Sequence, residues 1–89
     1  MISAAVTLIN RLGLHARAAT RLVSTASGFE SEVRIIRGAR SVNGKSIMGI
    51  LTLAASTGTE LIIEAEGSDE EAALDAVTRL IEHRFGEEE

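Results

Sequence analysis

Residues 31–43, "SEVRIIRGARSVN", decide the architecture. Val33 and Ile35 alternate with Glu32 and Arg34, the two-residue period of a strand with one face on a core and the other in water. Gly38 and Ala39 then interrupt the run before "RSVN" resumes it at 40–43, which predicts a hairpin. A strand of this kind belongs to an antiparallel sheet covered on one side only.

Working outward, Asn43-Gly44 is a turn dipeptide. The following "KSIMGILTL" is too short for a main helix and too apolar for an exposed loop, so it predicts one or two helical turns with Ser46 as N-cap. "ELIIEAEG" at 60–67 alternates again, with Leu61, Ile63 and Ala65 on one face, and reads as a strand. A helix follows. Ser68 and Glu71 form a capping-box pattern, Asp69 and Glu70 load its first turn, His83 and Arg84 its last, and Gly86 lies beyond. Its buried stripe is Ala73, Val77, Leu80 and Ile81. The final "GEEE" reads as a frayed end.

On the other side of the hairpin, "SAAVTLI" at 3–9 predicts the first strand, closed by "NRLG". Ala19, Leu22, Val23 and Ala26 then fall at i, i+3, i+4 and i+7, one stripe of an amphipathic helix over 16–26 that ends near Ser27 and Gly28. The order is β-α-β-β-α-β-α. It predicts an α+β domain spanning 1–89, a four-stranded antiparallel sheet with helices packed on one face and Glu32, Arg34, Glu64 and Glu66 on the open face.

Composition removes several classes of chemistry. There is no cysteine among the 89 residues, hence no disulfide framework, thiolate metal site or thiol nucleophile; this suits a cytoplasmic protein. The longest nearly apolar run, 47–55, is far short of the roughly 20 residues that cross a bilayer, and no basic residue precedes Arg11, so a soluble chain without a signal peptide is expected. Thirteen acidic against nine basic residues give a net charge of −4. Arg11, Arg17, Arg21, Arg34, Arg37, Arg40 and Lys45 lie in the first half while acids crowd 60–89, which implies a locally positive face for an acidic partner or a phosphate. Two phenylalanines and no Tyr or Trp leave almost no platform for stacking nucleobases. Two histidines 68 positions apart offer no ligand spacing, so no metal is expected. Neither a "GxSxG" elbow nor a glycine-rich phosphate loop supports a hydrolase.

What remains is His15, at the entrance of the first long helix, with Arg17 in its first turn. A neutral imidazole is a nucleophile near pH 7, a helix N-terminus offers unpaired N–H groups and the positive end of the macrodipole, and arginine's planar fork suits phosphate oxygens. Spacing alone favours an ordinary polar residue at a helix start beside a solvated charge, since a lone histidine near a cap is common. Ser46 likewise reads as a plain N-cap or as a phosphorylation site, and the two readings are not exclusive. Ile47, Met48 and Leu51 sit on a helix too short to bury them all, which leaves either core packing or an apolar contact patch. His83 complements a helix C-terminus and is given no catalytic role.

The two motifs "GLHAR" and "NGKSIMGI", with Ser46 31 positions after His15, resemble the HPr family, the histidine-containing phosphocarriers of the bacterial phosphoenolpyruvate-dependent sugar phosphotransferase system. The similarity runs nearly end to end. It implies an open-faced β-sandwich and a carrier with no cofactor, not an enzyme in its own right. By position it assigns His15 as the residue that enzyme I phosphorylates on a ring nitrogen, the pros nitrogen, and Arg17 as the group that stabilises the phosphoryl. It further implies onward transfer to enzyme IIA domains, modification of Ser46 by an HPr kinase/phosphorylase, and docking through Arg17, Ile47, Met48 and Leu51. One position departs from the pattern: Ala18 stands where the family usually has proline. Proline there pre-sets φ without losing a needed hydrogen bond, so alanine leaves the helix intact and its entrance less fixed. It also keeps open a nitrogen-related phosphotransferase carrier; the alternative from another class is a purely regulatory binding module of the same fold, acting through Ser46 and the apolar patch. A monomer is expected.

Overall fold

A computed structural model describes residues 1–89. The strands β1 (Ile2–Thr7), β2 (Glu32–Arg37), β3 (Arg40–Asn43) and β4 (Glu60–Glu66) form one antiparallel sheet in the order β1-β4-β2-β3. The hairpin read from 31–43 is its edge, with Arg37 opposite Arg40. Helices α1 (Ala16–Ser27) and α3 (Glu70–Glu82) are the long elements, and the five-residue α2 (Ile47–Leu51) packs against α1. No helix is long and apolar enough to cross a membrane.

Strand alternation settles which face the helices cover. Val33 and Ile35 of β2, with Leu61, Ile63 and Ala65 of β4, are buried against Ala18, Ala19, Leu22 and Ala26 of α1 and Ala73, Val77 and Ile81 of α3. Small residues on α1 let it pack against α2 and α3, while α3 lies closest to the sheet, on β1 and β4. Val23 and Leu80, expected in the buried stripes, lie at the flank of the core and are only partly covered. The open face holds Arg34 opposite Glu64, and also Ile36 opposite Ile62, so it is less polar at its centre than the charges at either end imply.

Three boundaries differ from the sequence reading. Regular β1 ends at Thr7, yet the Leu8 N–H still donates to Thr59 and its carbonyl accepts from Gly58. The predicted capping box does not form. Asp69 is the N-cap of α3, and its carboxylate is turned away from the helix to the backbone N–H groups of Glu30 and Ser31 and the Ser31 hydroxyl. Ser68 Oγ reaches Glu30 instead, and the backbone N–H of Gly67 is taken by Glu70. At the far end, His83 caps α3, and Arg84 and Phe85 adopt φ of 57° and 56° in a single 3-10 turn. Arg84 therefore stands outside the helix it was expected to complement. The last four residues are not frayed, because Phe85 is buried and anchors the chain just before them.

Candidate functional site

His15 is the N-cap of α1, with extended backbone angles, and its Nδ1 accepts from the Arg17 N–H at 3.2 Å. An N-cap normally supplies an oxygen for this purpose; here an imidazole nitrogen does it. The N–H groups of Ala16 and Ala18 have no backbone acceptor, and the Ala19 N–H is the first to find one, at the His15 carbonyl. The helix thus begins with unpaired donors and the positive end of its dipole beside the ring.

A glycine-dependent close approach and a backbone hydrogen bond set the approach to this cap. Gly13 has φ of 64° and packs its Cα against the Ala55 carbonyl and the Ser56 backbone, closer than any side chain allows. Leu14, buried next to it, donates its N–H to Ala55 at 2.9 Å. The ring of His15 is held in place from the backbone on one side.

The C-terminal residues hold it from the other. Glu87 Oε2 lies 2.5 Å from His15 Nε2, and Glu87 Oε1 accepts from the side-chain amide of Asn10 at 3.0 Å. That same amide donates to the Gly13 carbonyl at 2.8 Å, and Asn10 is wholly buried. The side chain of Glu87 is only 13% exposed and that of His15 25%. Burial pushes the Glu87 carboxyl up, but the hydrogen bonds from Asn10 and His15 and the attraction of His15 and Arg21 outweigh it and hold the group below its ordinary value of 4.5. Because Nδ1 accepts an N–H and Nε2 faces a carboxylate, the neutral ring carries its proton on Nε2 and its lone pair on Nδ1.

Arg17 is exposed, makes no ion pair and lines the same open groove as Arg11, Leu12 and His15. Arg11 does not contribute a free charge, since Glu89 pairs with its Nε at 2.7 Å and accepts from its backbone N–H. Arg11 and Arg17 of the basic first half therefore meet the acidic tail at this groove, while Arg34, Arg37, Arg40 and Lys45 lie on and just after the β2-β3 hairpin.

Ser46 is the N-cap of α2, its hydroxyl accepting from the Gly49 N–H at 3.0 Å. Ile47 and Met48 are exposed, by 40% and 71%, while Leu51 is half-buried and Ile50 alone is sealed in the core. Leu12, 57% exposed in the groove beside His15, adds an apolar surface group that the sequence reading had not singled out. Asn10 and Glu87 were also missed. Phe85, a large apolar residue that has to be buried, signals that the acidic tail is tied down but does not single out Glu87 within it.

The chain matches the family described as "PTS HPr component phosphorylation site" over residues 2–83. It is 47% identical to the phosphocarrier protein HPr of Cupriavidus necator with all of both chains covered. It is also 42% identical to the phosphocarrier protein NPr of Shewanella violacea, covering 92% of this chain and 90% of that one. Among solved structures, HPr of Thermoanaerobacter tengcongensis superposes with a TM-score of 0.96 at 45% identity over the full length of both chains.

Proposed function

Since the chain belongs to the HPr family of phosphotransferase-system phosphocarriers, we propose that His15 accepts a phosphoryl group on Nδ1 from enzyme I, with phosphoenolpyruvate as donor, and passes it to enzyme IIA components of the sugar system. The observation that carries this reading is the N-cap itself. Nδ1 is the ring nitrogen with the lone pair, and its only partner is the Arg17 N–H. When a phosphoryl group takes that lone pair, the Arg17 N–H is released and joins that of Ala16 as a donor to the phosphoryl oxygens. The guanidinium of Arg17, unpaired and in the same groove, adds the charge of a planar fork. The carrier supplies position and charge; the partner proteins supply the rest of an in-line transfer.

The exposed Ile47 and Met48 with half-buried Leu51 offer adaptable apolar contacts for those partners in the cytoplasm, next to the helix that begins with His15. Ser46 is the regulatory position in this reading. A phosphoserine at the cap adds charge to the docking face and repels the acidic surface of enzyme I while leaving the fold in place. A nitrogen-branch carrier shares every feature of the site, and Ala18 in place of the usual proline is the observation in its favour. A purely regulatory module gives no reason to keep an imidazole where a serine or aspartate would cap the helix equally well.

The test is the intact mass of the protein after incubation with phosphoenolpyruvate and sugar-system enzyme I, with an acid-treated aliquot and a His15→Ala control. An acid-labile gain of one phosphate, absent from the control, is expected. No gain with this enzyme I but a gain with its nitrogen-branch counterpart assigns the other branch, and no gain with either rejects the carrier role.

A further inference from the structure

We propose that Glu87 is a positioning residue for His15: its carboxylate, held by the buried amide of Asn10, keeps the imidazole proton on Nε2 and so keeps Nδ1 available for transfer in both directions. The inference rests on the carrier reading for its consequence, but its geometry stands independently. One carboxylate oxygen meets Nε2 at 2.5 Å and the other is fixed at 3.0 Å by Asn10, whose second N–H is spent on the Gly13 carbonyl. This is the nucleophile–orienter logic of a catalytic triad with the imidazole itself as nucleophile.

The arrangement follows from how the chain ends. Phe85, buried to 1% exposure, docks the segment in the core, and Arg21 donates to its carbonyl from α1. The left-handed turn through Arg84, Phe85 and Gly86 then reverses the chain toward the groove, and Glu89 is fastened to Arg11. Glu87 is thereby held from both sides, which a loose acidic tail cannot achieve.

The chemistry explains why a carboxylate is useful on the far side of the ring. During acceptance the Nδ1 lone pair forms the N–P bond while the donor–phosphorus bond breaks and its electron pair leaves with the donor. The ring, still protonated on Nε2, becomes cationic, and the Glu87 carboxylate faces that charge. On forward transfer the N–P electron pair returns to Nδ1 and a neutral imidazole departs. Were the Nε2 proton lost from the phosphorylated ring, the leaving group would be an imidazolate, a far poorer one. Glu87 retains that proton without competing for Nδ1, since it approaches the opposite nitrogen.

Two readouts on full-length protein test the proposal, using Glu87→Ala and Glu87→Gln, with thermal melting to verify the fold. In ¹⁵N-labelled parent protein the Nε2–H of His15 is expected as a protected, downfield imidazole proton, weakened in Glu87→Gln and exchanged beyond detection in Glu87→Ala. Phosphoryl acceptance from enzyme I is expected to slow about tenfold in Glu87→Ala, on the scale set by the lower end of what losing the carboxylate behind a metal-ligating histidine costs. An identical imidazole signature in parent and Glu87→Ala overturns the positioning role, as does an unchanged rate. Failure of the parent itself to accept phosphate overturns the carrier reading and not this one, because the proton signature is read without phosphate.

Discussion

The hydroxyl of Ser31 and the carboxylate of Asp69 meet at 2.5 Å, although 38 residues separate them, and the contact joins the start of β2 to the start of α3. Asp69 also accepts from the backbone N–H groups of Glu30 and Ser31. The Ser31 hydroxyl first, then the Glu30 N–H, hold its carboxyl below the ordinary value of 3.8. A carboxylate whose folded-state pKa is depressed contributes stability that is complete above its unfolded value and disappears as pH falls through the folded one. Acid unfolding of the parent should therefore include a component below about pH 4 that Asp69→Asn lacks. Denaturant midpoints from pH 7 to pH 2 check this: the variant is less stable at neutral pH, and the difference narrows on acidification. A constant difference across the range refutes it.

Gly13 is the position at which backbone strain would reach the site most directly. A Cβ there would stand 2.6 Å from the Ala55 carbonyl oxygen and 2.8 Å from Ser56 Cα, with φ at 64°. Both obstacles are backbone and cannot swing aside. Gly13→Ala is expected to cost about 1–3 kcal/mol and to move His15, two residues on, out of register with Glu87. Equilibrium unfolding measures the first effect and the imidazole ¹⁵N shifts measure the second. A variant with parental stability and shifts would show that the loop has room the geometry denies.

Ser46 separates two roles by substitution. Ser46→Ala removes the acceptor for the Gly49 N–H and should destabilise by about 1 kcal/mol, with acceptance of phosphate little changed. Ser46→Asp keeps a capping oxygen, so stability stays near the parent, while the added charge slows acceptance from enzyme I. Stopped-flow or quench measurements of acceptance beside thermal melts distinguish the two, and equal rates for Ser46→Asp and the parent remove the regulatory proposal.

Elements governed by local patterning were legible in the sequence. Alternation at Val33, Ile35, Leu61 and Ile63 gave the strands and their buried face, and Ser46 gave the cap of α2, because each depends on residues within a few positions of one another. The capping box failed for the opposite reason: Asp69 has partners 38 and 39 residues away that outcompete its own helix. The orienting half of the candidate site was hidden in the same way. Glu87 is one of three identical residues in a polar tail, and nothing local distinguishes it from Glu88 or Glu89. Its contacts with Asn10 and His15 span 77 and 72 positions and exist only once Phe85 is buried.

Ala18 offers the last prediction. It is the third residue of α1, fully buried, and its N–H has no backbone acceptor because the residue four positions before it lies outside the helix. Proline there forfeits no hydrogen bond and restricts the unfolded chain, a substitution that stabilises by about 0.4–1 kcal/mol where the backbone already suits it. Ala18→Pro should thus raise the unfolding midpoint and narrow the range of orientations open to His15. If the entrance of α1 limits transfer, the acceptance rate rises with it; if partner recognition limits transfer, stability increases alone. Loss of stability would mean that the buried pocket around Ala18 has no space for the ring, so that alanine is required by packing and is not a relaxed substitute.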